Sequence, residues 1–163
     1  DPSRTYRKGK TRHMPSIEMT KAIKSPAQRV FETVAHLGEF AQAIPSITAA
    51  ECLTDHETGT GSQWRIFRDI GGKERSTVFE VLEYEPTEWV RIVSEAGGAT
   101  WDAGFEVAAR GKGKSGGAEL IWTLDATPNS MKARLGLPLL MGAIEKALAP
   151  DLDAVKRYCE SVS

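Results

Sequence analysis

The sequence predicts an α+β fold: a curved, seven-stranded antiparallel sheet wrapped around one long C-terminal helix, with two short helices after the first strand. Three observations predict it. Apolar residues between Ile47 and Thr127 recur with a period of two, the period of a strand with one buried face. The gaps between these runs are short clusters of Gly, Pro and Asp, which suit hairpin turns and little else. From Ser130 to the end the period becomes helical.

The first strand is read over Ser16 to Lys24, where Ile17, Met19 and Ile23 alternate with polar residues. Ser25-Pro26-Ala27-Gln28 follows: Ser25 suits an N-cap, Pro26 the first helical position, and Gln28 completes a capping box. Val30, Phe31 and Val34 make that helix's apolar stripe, and Gly38 is expected to end it. Glu39 to Ile44 reads as a second short helix stopped by Pro45, so the two form a V joined at His36-Leu37-Gly38. Strands are expected at 47–54, 61–70, 73–84, 88–95, 100–109 and 118–126. The connections between them imply an antiparallel meander. Met131, Leu135, Leu139, Ile144, Leu148, Leu152, Val155 and Cys159 define the long helix, which Pro138 and Pro150 should kink or interrupt.

The chain has 163 residues, enough for one domain with a real core. Its formal net charge is −1, which argues against a dedicated nucleic-acid binder. That near-balance is uneven. Residues 1–13 hold five basic residues and one acidic one, leaving a net charge of −5 on the remainder. Residues 1–15 are therefore expected to be a flexible basic tail, with Met14 a natural start, and 16–163 a single domain. Cys52 and Cys159 are too few for a disulfide framework or a zinc site and are read as reduced thiols. No apolar run is long enough to span a membrane, and no signal peptide is evident. A cytoplasmic location is expected on these grounds.

Seven strands enclose more volume than one helix fills, so a pocket between sheet and helix is an expected consequence of this layout. Order and local motifs resemble the START-like or SRPBCC superfamily, which includes polyketide cyclases/dehydrases, CoxG-like proteins and the birch-pollen allergens, and whose architecture is the helix-grip fold. The matching stretches are Ser25 to Phe31, Phe40 to Ile47, Gly59-Thr60-Gly61, Gly71-Gly72-Lys73, Glu80 to Pro86 and the closing helix. These are caps and turns, so the resemblance implies a fold and not a chemistry. It implies lipid and sterol carriers, ubiquinone-binding chaperones, hormone receptors, aromatases, cyclases and co-chaperone domains as kinds of function.

Catalytic signals are sparse. His13 lies in the tail, His56 in a polar turn, and His36 at a helix end, where a cation is favoured. No zinc spacing, nucleophile elbow or cofactor fingerprint is present, so no metal and no cofactor are expected. Gly111 to Gly116 matches the dinucleotide pattern but precedes a strand and reads as a hairpin loop. Trp64, Trp89, Trp101 and Trp122 all fall in expected strands. Alternation groups Trp64, Ile66 and Arg68 on one face, as it groups Trp101, Ala103, Phe105 and Val107, and Leu120, Trp122 and Leu124. These are the expected cavity faces, with Leu135, Leu139, Met141, Ile144 and Leu148 on the helix side. An inward Arg68 needs a partner, for which Glu80 on the next strand is the candidate. Asp102 and Asp125 fall on the opposite face and are expected to be solvated.

Three functions compete. The first is a binding protein that holds a small hydrophobic or amphipathic molecule between sheet and helix. The second is a cyclase, aromatase or dehydratase, for which Arg68, Glu80 and Tyr84 are the nameable catalytic positions. The third is a protein-interaction module. Integral membrane association is not expected, and monomer and homodimer stay open.

Overall fold

A computed structural model of the chain describes residues 15–111 and 116–161. The basic tail and the middle of the Gly111–Gly116 loop lie outside the described residues. The elements are β1 (Ser16–Ile23), α1 (Ala27–Ala35), α2 (Leu37–Ala43), β2 (Ile47–Cys52), β3 (Gln63–Ile70), β4 (Lys73–Glu85), β5 (Trp89–Ala96), β6 (Ala99–Arg110), β7 (Gly117–Pro128) and α3 (Met131–Ser161). All seven strands form one antiparallel sheet in the order β1-β7-β6-β5-β4-β3-β2. Successive strands from β2 to β7 are neighbours, and β1 closes on β7, with Ile17 opposite Leu124 and Met19 opposite Trp122. β1 and β2 are the two free edges, so the sheet is an open trough and not a barrel.

Alternation sorts the strand side chains between the trough and its outside. Val81, Val90, Ile92, Phe105, Leu120 and Trp122 point inward and are buried with Phe31, Val30 and Val34 of α1. Val30 and Val34 lose all solvent contact, and each buried side chain of this size is worth about 1.5–3 kcal/mol. α1 and α2 thus plug one end of the trough. α3 lies along it, packing chiefly on β1, β7, α1 and α2. Its last turns, through Leu152, Val155 and Cys159, complete this main core. Its first turns join a second cluster of Ile17, Ala99, Leu124, Ala126, Leu137 and Met141.

Several local expectations change. Pro26 and not Ser25 occupies the N-cap of α1, with no side-chain cap, because Pro26 is already extended (ψ 146°). The Ser25 hydroxyl is buried without a partner, and Gln28 donates forward to Glu32 at 3.0 Å. α1 ends at Ala35, where His36 turns extended, so Gly38 lies inside α2. α3 is continuous across Pro138 and Pro150. The long helix absorbs each lost N–H bond because its neighbouring turns are anchored by packing. β7 follows the Gly111–Gly116 loop directly as the partner strand of β6, as a hairpin requires.

Candidate functional site

The trough-facing side of β3 presents Trp64, Ile66 and Arg68. Each stands opposite a residue of β4: Trp64 faces Phe79, Ile66 faces Thr77 and Arg68 faces Arg75. Arg68 does not meet Glu80. It crosses the trough, and its Nη2 donates to Asp151 Oδ1 of α3 at 2.6 Å. Glu80 sits on the outer side of β4, where its carboxylate accepts from Gln63 Nε2 at 3.0 Å. The pairing fails because Glu80 is offset by five residues from Arg75, an odd number, which turns it to the other face.

Asp151 is 4% exposed, and its second oxygen, Oδ2, is buried with no hydrogen-bond partner. A buried carboxylate oxygen left unpaired costs free energy that the single arginine contact does not fully offset. Trp122 Nε1, on the trough side of β7, is likewise buried and unpartnered. Its ring lies 5.0 Å from Phe105, which in turn lies 6.2 Å from Phe40. These two polar atoms carry a signal that no sequence motif contains.

Between α3 and the β3–β6 side of the trough, packing is loose. Phe79, Trp101, Ala103, Ile144 and Leu148 all face inward yet remain only partly buried. A filled core would bury them completely. These half-buried side chains form an apolar seam along the helix, which Arg68 bridges to Asp151, with Arg75 opposite Arg68 on the next strand. The helix side of this seam differs from the sequence expectation. Leu135 and Leu139 are 74% and 86% exposed and point away from the sheet, and Leu137 and Met141 are the buried pair. Leu residues at 135, 137, 139 and 140 offer an apolar side chain to every face, so periodicity alone selects the wrong line.

A separate surface cleft of about 380 Å³ opens between α2 and β2, lined by Gly38, Ala41, Gln42, Ile47, Thr48, Ala49, Ala50 and Trp64. Of the residues expected to line a cavity, only Trp64 borders it. The Trp64 indole packs on Gly38 and donates to Glu57 O at 2.9 Å.

The acid–base candidates do not converge. Tyr84 lies under α1, edge-on to Phe31 at 5.4 Å, and hydrogen-bonds His36 Nε2 at 2.9 Å. Burial, then Glu32, pushes the Tyr84 phenol up from its ordinary value. Glu80 is on the outer face and Arg68 at the far end of the trough. Asp102 and Asp125 do lie outside, as expected, but neither is simply solvated. Asp102 takes a bidentate contact from Arg91, at 2.7 and 2.9 Å, and raises that guanidinium's pKa. Asp125 is buried against β1. Among the described residues no cluster of His, Cys, Asp and Glu could hold a metal ion.

An open antiparallel trough gripping one long helix, with an apolar seam between them, defines a helix-grip protein. Residues 14–160 match the family model described as polyketide cyclase / dehydrase and lipid transport. The chain belongs to that family. No curated protein matches the sequence. Solved structures agree on the fold. The Zhui aromatase/cyclase from Streptomyces sp. R1128 aligns with a TM-score of 0.71 at 18% identity, over 91% of this chain and 94% of that one. A START superfamily protein from Mycobacterium smegmatis aligns at 0.66 and 18% identity, covering 91% and 99%. Norcoclaurine synthase from Thalictrum flavum aligns at 0.63 and 11% identity, covering 91% and 87%. At such identities the likeness concerns the fold.

Proposed function

We propose that this protein binds a small amphipathic molecule in the seam between the sheet and α3, without transforming it. The observation that carries the reading is the Arg68–Asp151 pair: a buried carboxylate, half satisfied, at the edge of a half-buried apolar seam. A ligand hydroxyl or amide would donate to Asp151 Oδ2. A carbonyl or ether oxygen would accept from Trp122 Nε1. Arg75, beside Arg68, suits a negatively charged or strongly polar end. The apolar body would lie on the half-buried Phe79, Trp101, Ala103, Ile144 and Leu148, with Trp64 at the far side. The family description, which joins lipid transport to cyclase chemistry, is compatible with this class of ligand.

The cyclase reading needs acid and base groups around one substrate. Arg68, Glu80 and Tyr84 stand at two ends and on two faces of the sheet, which favours binding over chemistry. The test is native mass spectrometry of the purified protein, followed by titration with a fluorescent fatty-acid analogue. A retained small molecule, or saturable probe binding weakened by Asp151→Asn, supports the proposal. No retained molecule together with no saturable binding overturns it. Conversion of a poly-β-ketone substrate, lost in Tyr84→Phe, would replace it with the enzyme.

A further inference from the structure

Four of the seven exposed large apolar side chains of the described residues gather on the first half of α3: Met131 at 70%, Leu135 at 74%, Leu139 at 86% and Leu140 at 54%. Met131, Leu135 and Leu139 follow at intervals of four and so share one face, about 12 Å long. The opposite face is the one that packs, through Leu137 and Met141. The fold has no need for leucine on the outer face, where polar residues would serve equally well. An exposed apolar stripe of this kind marks a contact with something else.

Charge indicates what that is. Between Met131 and Lys146 the helix carries Lys132, Arg134 and Lys146 against a single carboxylate, Glu145, a net charge of +2. Lys146 comes two turns after Leu139, on the same face. This basic, apolar stripe stands out on a chain whose residues 14–163 carry a net charge of −5. An anionic lipid surface complements both of its properties, since leucine side chains enter the interface while lysines meet the headgroups. A second copy docking by a two-fold axis would bring these lysines toward their own copies. Leu140 lies on the line of Ile144 and Asp151, so this face borders the rim of the seam.

We propose that the outer face of the first half of α3, centred on Leu135 and Leu139, docks into the interface of an anionic lipid bilayer. The contact is peripheral: no described helix is long and apolar enough to cross a membrane. It goes beyond the internal binding reading and can hold or fail without it.

The test is co-sedimentation of the full chain with phosphatidylcholine vesicles containing about one third phosphatidylglycerol, against pure phosphatidylcholine. Binding to the mixed vesicles alone, weakened about tenfold by Leu135→Glu with Leu139→Glu, is the expected result. The basic residues 1–13 are present in both proteins, so the difference reports the helix. Because both leucines are exposed, the variant should keep the parent's melting temperature and its probe binding. If it does not, Leu135→Gln with Leu139→Gln gives the same comparison without added charge. Equal binding by parent and variant, or no binding to anionic vesicles, overturns the proposal. A dimer in sedimentation equilibrium that the variant dissociates, without vesicle binding, assigns the face to a second copy.

Discussion

Arg68 of β3 and Asp151 of α3 meet at 2.6 Å across the trough, 83 residues apart in sequence. Asp151 is almost wholly buried, whereas Arg68 keeps about a quarter of its side chain in water. The two partners should therefore respond unequally to substitution. Arg68→Ala strands a buried carboxylate and is expected to cost about 3 kcal/mol, the lower end of the range for broken buried pairs because water can reach the gap. Asp151→Asn leaves only a partly solvated arginine and should cost less. Urea unfolding of both variants checks the order. A larger loss for Asp151→Asn would mean that the carboxylate, and not its neutralisation, holds α3 in place.

Gly104 of β6 lies under the Trp89 ring on the outside of the sheet. A Cβ at position 104 would fall 2.2 Å from Trp89 Cη2. Trp89 cannot simply swing aside, because its Nε1 donates to Glu83 Oε2 at 2.6 Å. Gly104→Ala should displace the indole, break that bond and destabilise the fold by about 1–3 kcal/mol, as overpacking does. Thermal melting reads the loss. Paired with Trp89→Leu, the alanine should become nearly neutral, because the obstructing ring is gone.

The alternation that places Trp64, Ile66 and Arg68 on one face is visible in the sequence, and the structure keeps it. Arg68's partner is not visible. A carboxylate on α3 and one on β4 are equally complementary to it, and only the curvature of the sheet brings Asp151 near. The helix register fails for a different reason. Spacing four from Leu135 to Leu139 is as regular as spacing four from Leu137 to Met141, so the pattern cannot say which pair packs. The orphan N–H of Trp122 is legible nowhere in the sequence, since it depends on what its neighbours omit.

Three acids in the folded protein hold their protons more tightly than in the unfolded chain. Burial pushes the Cys159 thiol up, donation to Glu39 does the same for Tyr158, and burial does it for Tyr84. The unfolded chain releases these protons first, so it binds fewer protons than the native state at alkaline pH. Stability is then complete below the ordinary thiol and phenol values and falls as pH rises through about 9 to 10 and beyond. Denaturant midpoints across that window should drop, and a flat profile would contradict the assignment. The same burial should make Cys159, whose thiol donates to Thr33 Oγ1 at 3.4 Å, inert to a disulfide reagent until unfolding. Half-buried Cys52 should react in the native protein, giving one fast thiol and one slow thiol.

Trp122→Phe separates a packing role from a recognition role at the centre of the trough. The indole is 6% exposed, packs at a tilt against Phe105 and donates to nothing. Replacing it with phenylalanine removes an unsatisfied donor, which is favourable, and leaves a small void, which is not. The two effects oppose, so stability should change by less than about 1.5 kcal/mol. Ligand binding has no such compensation. A molecule whose oxygen accepts from Nε1 loses that bond outright and should bind roughly tenfold more weakly. Parallel melting and probe titration decide between the roles: unchanged affinity with lowered stability makes Trp122 a packing residue, and lowered affinity with near-parent stability makes it part of the binding site.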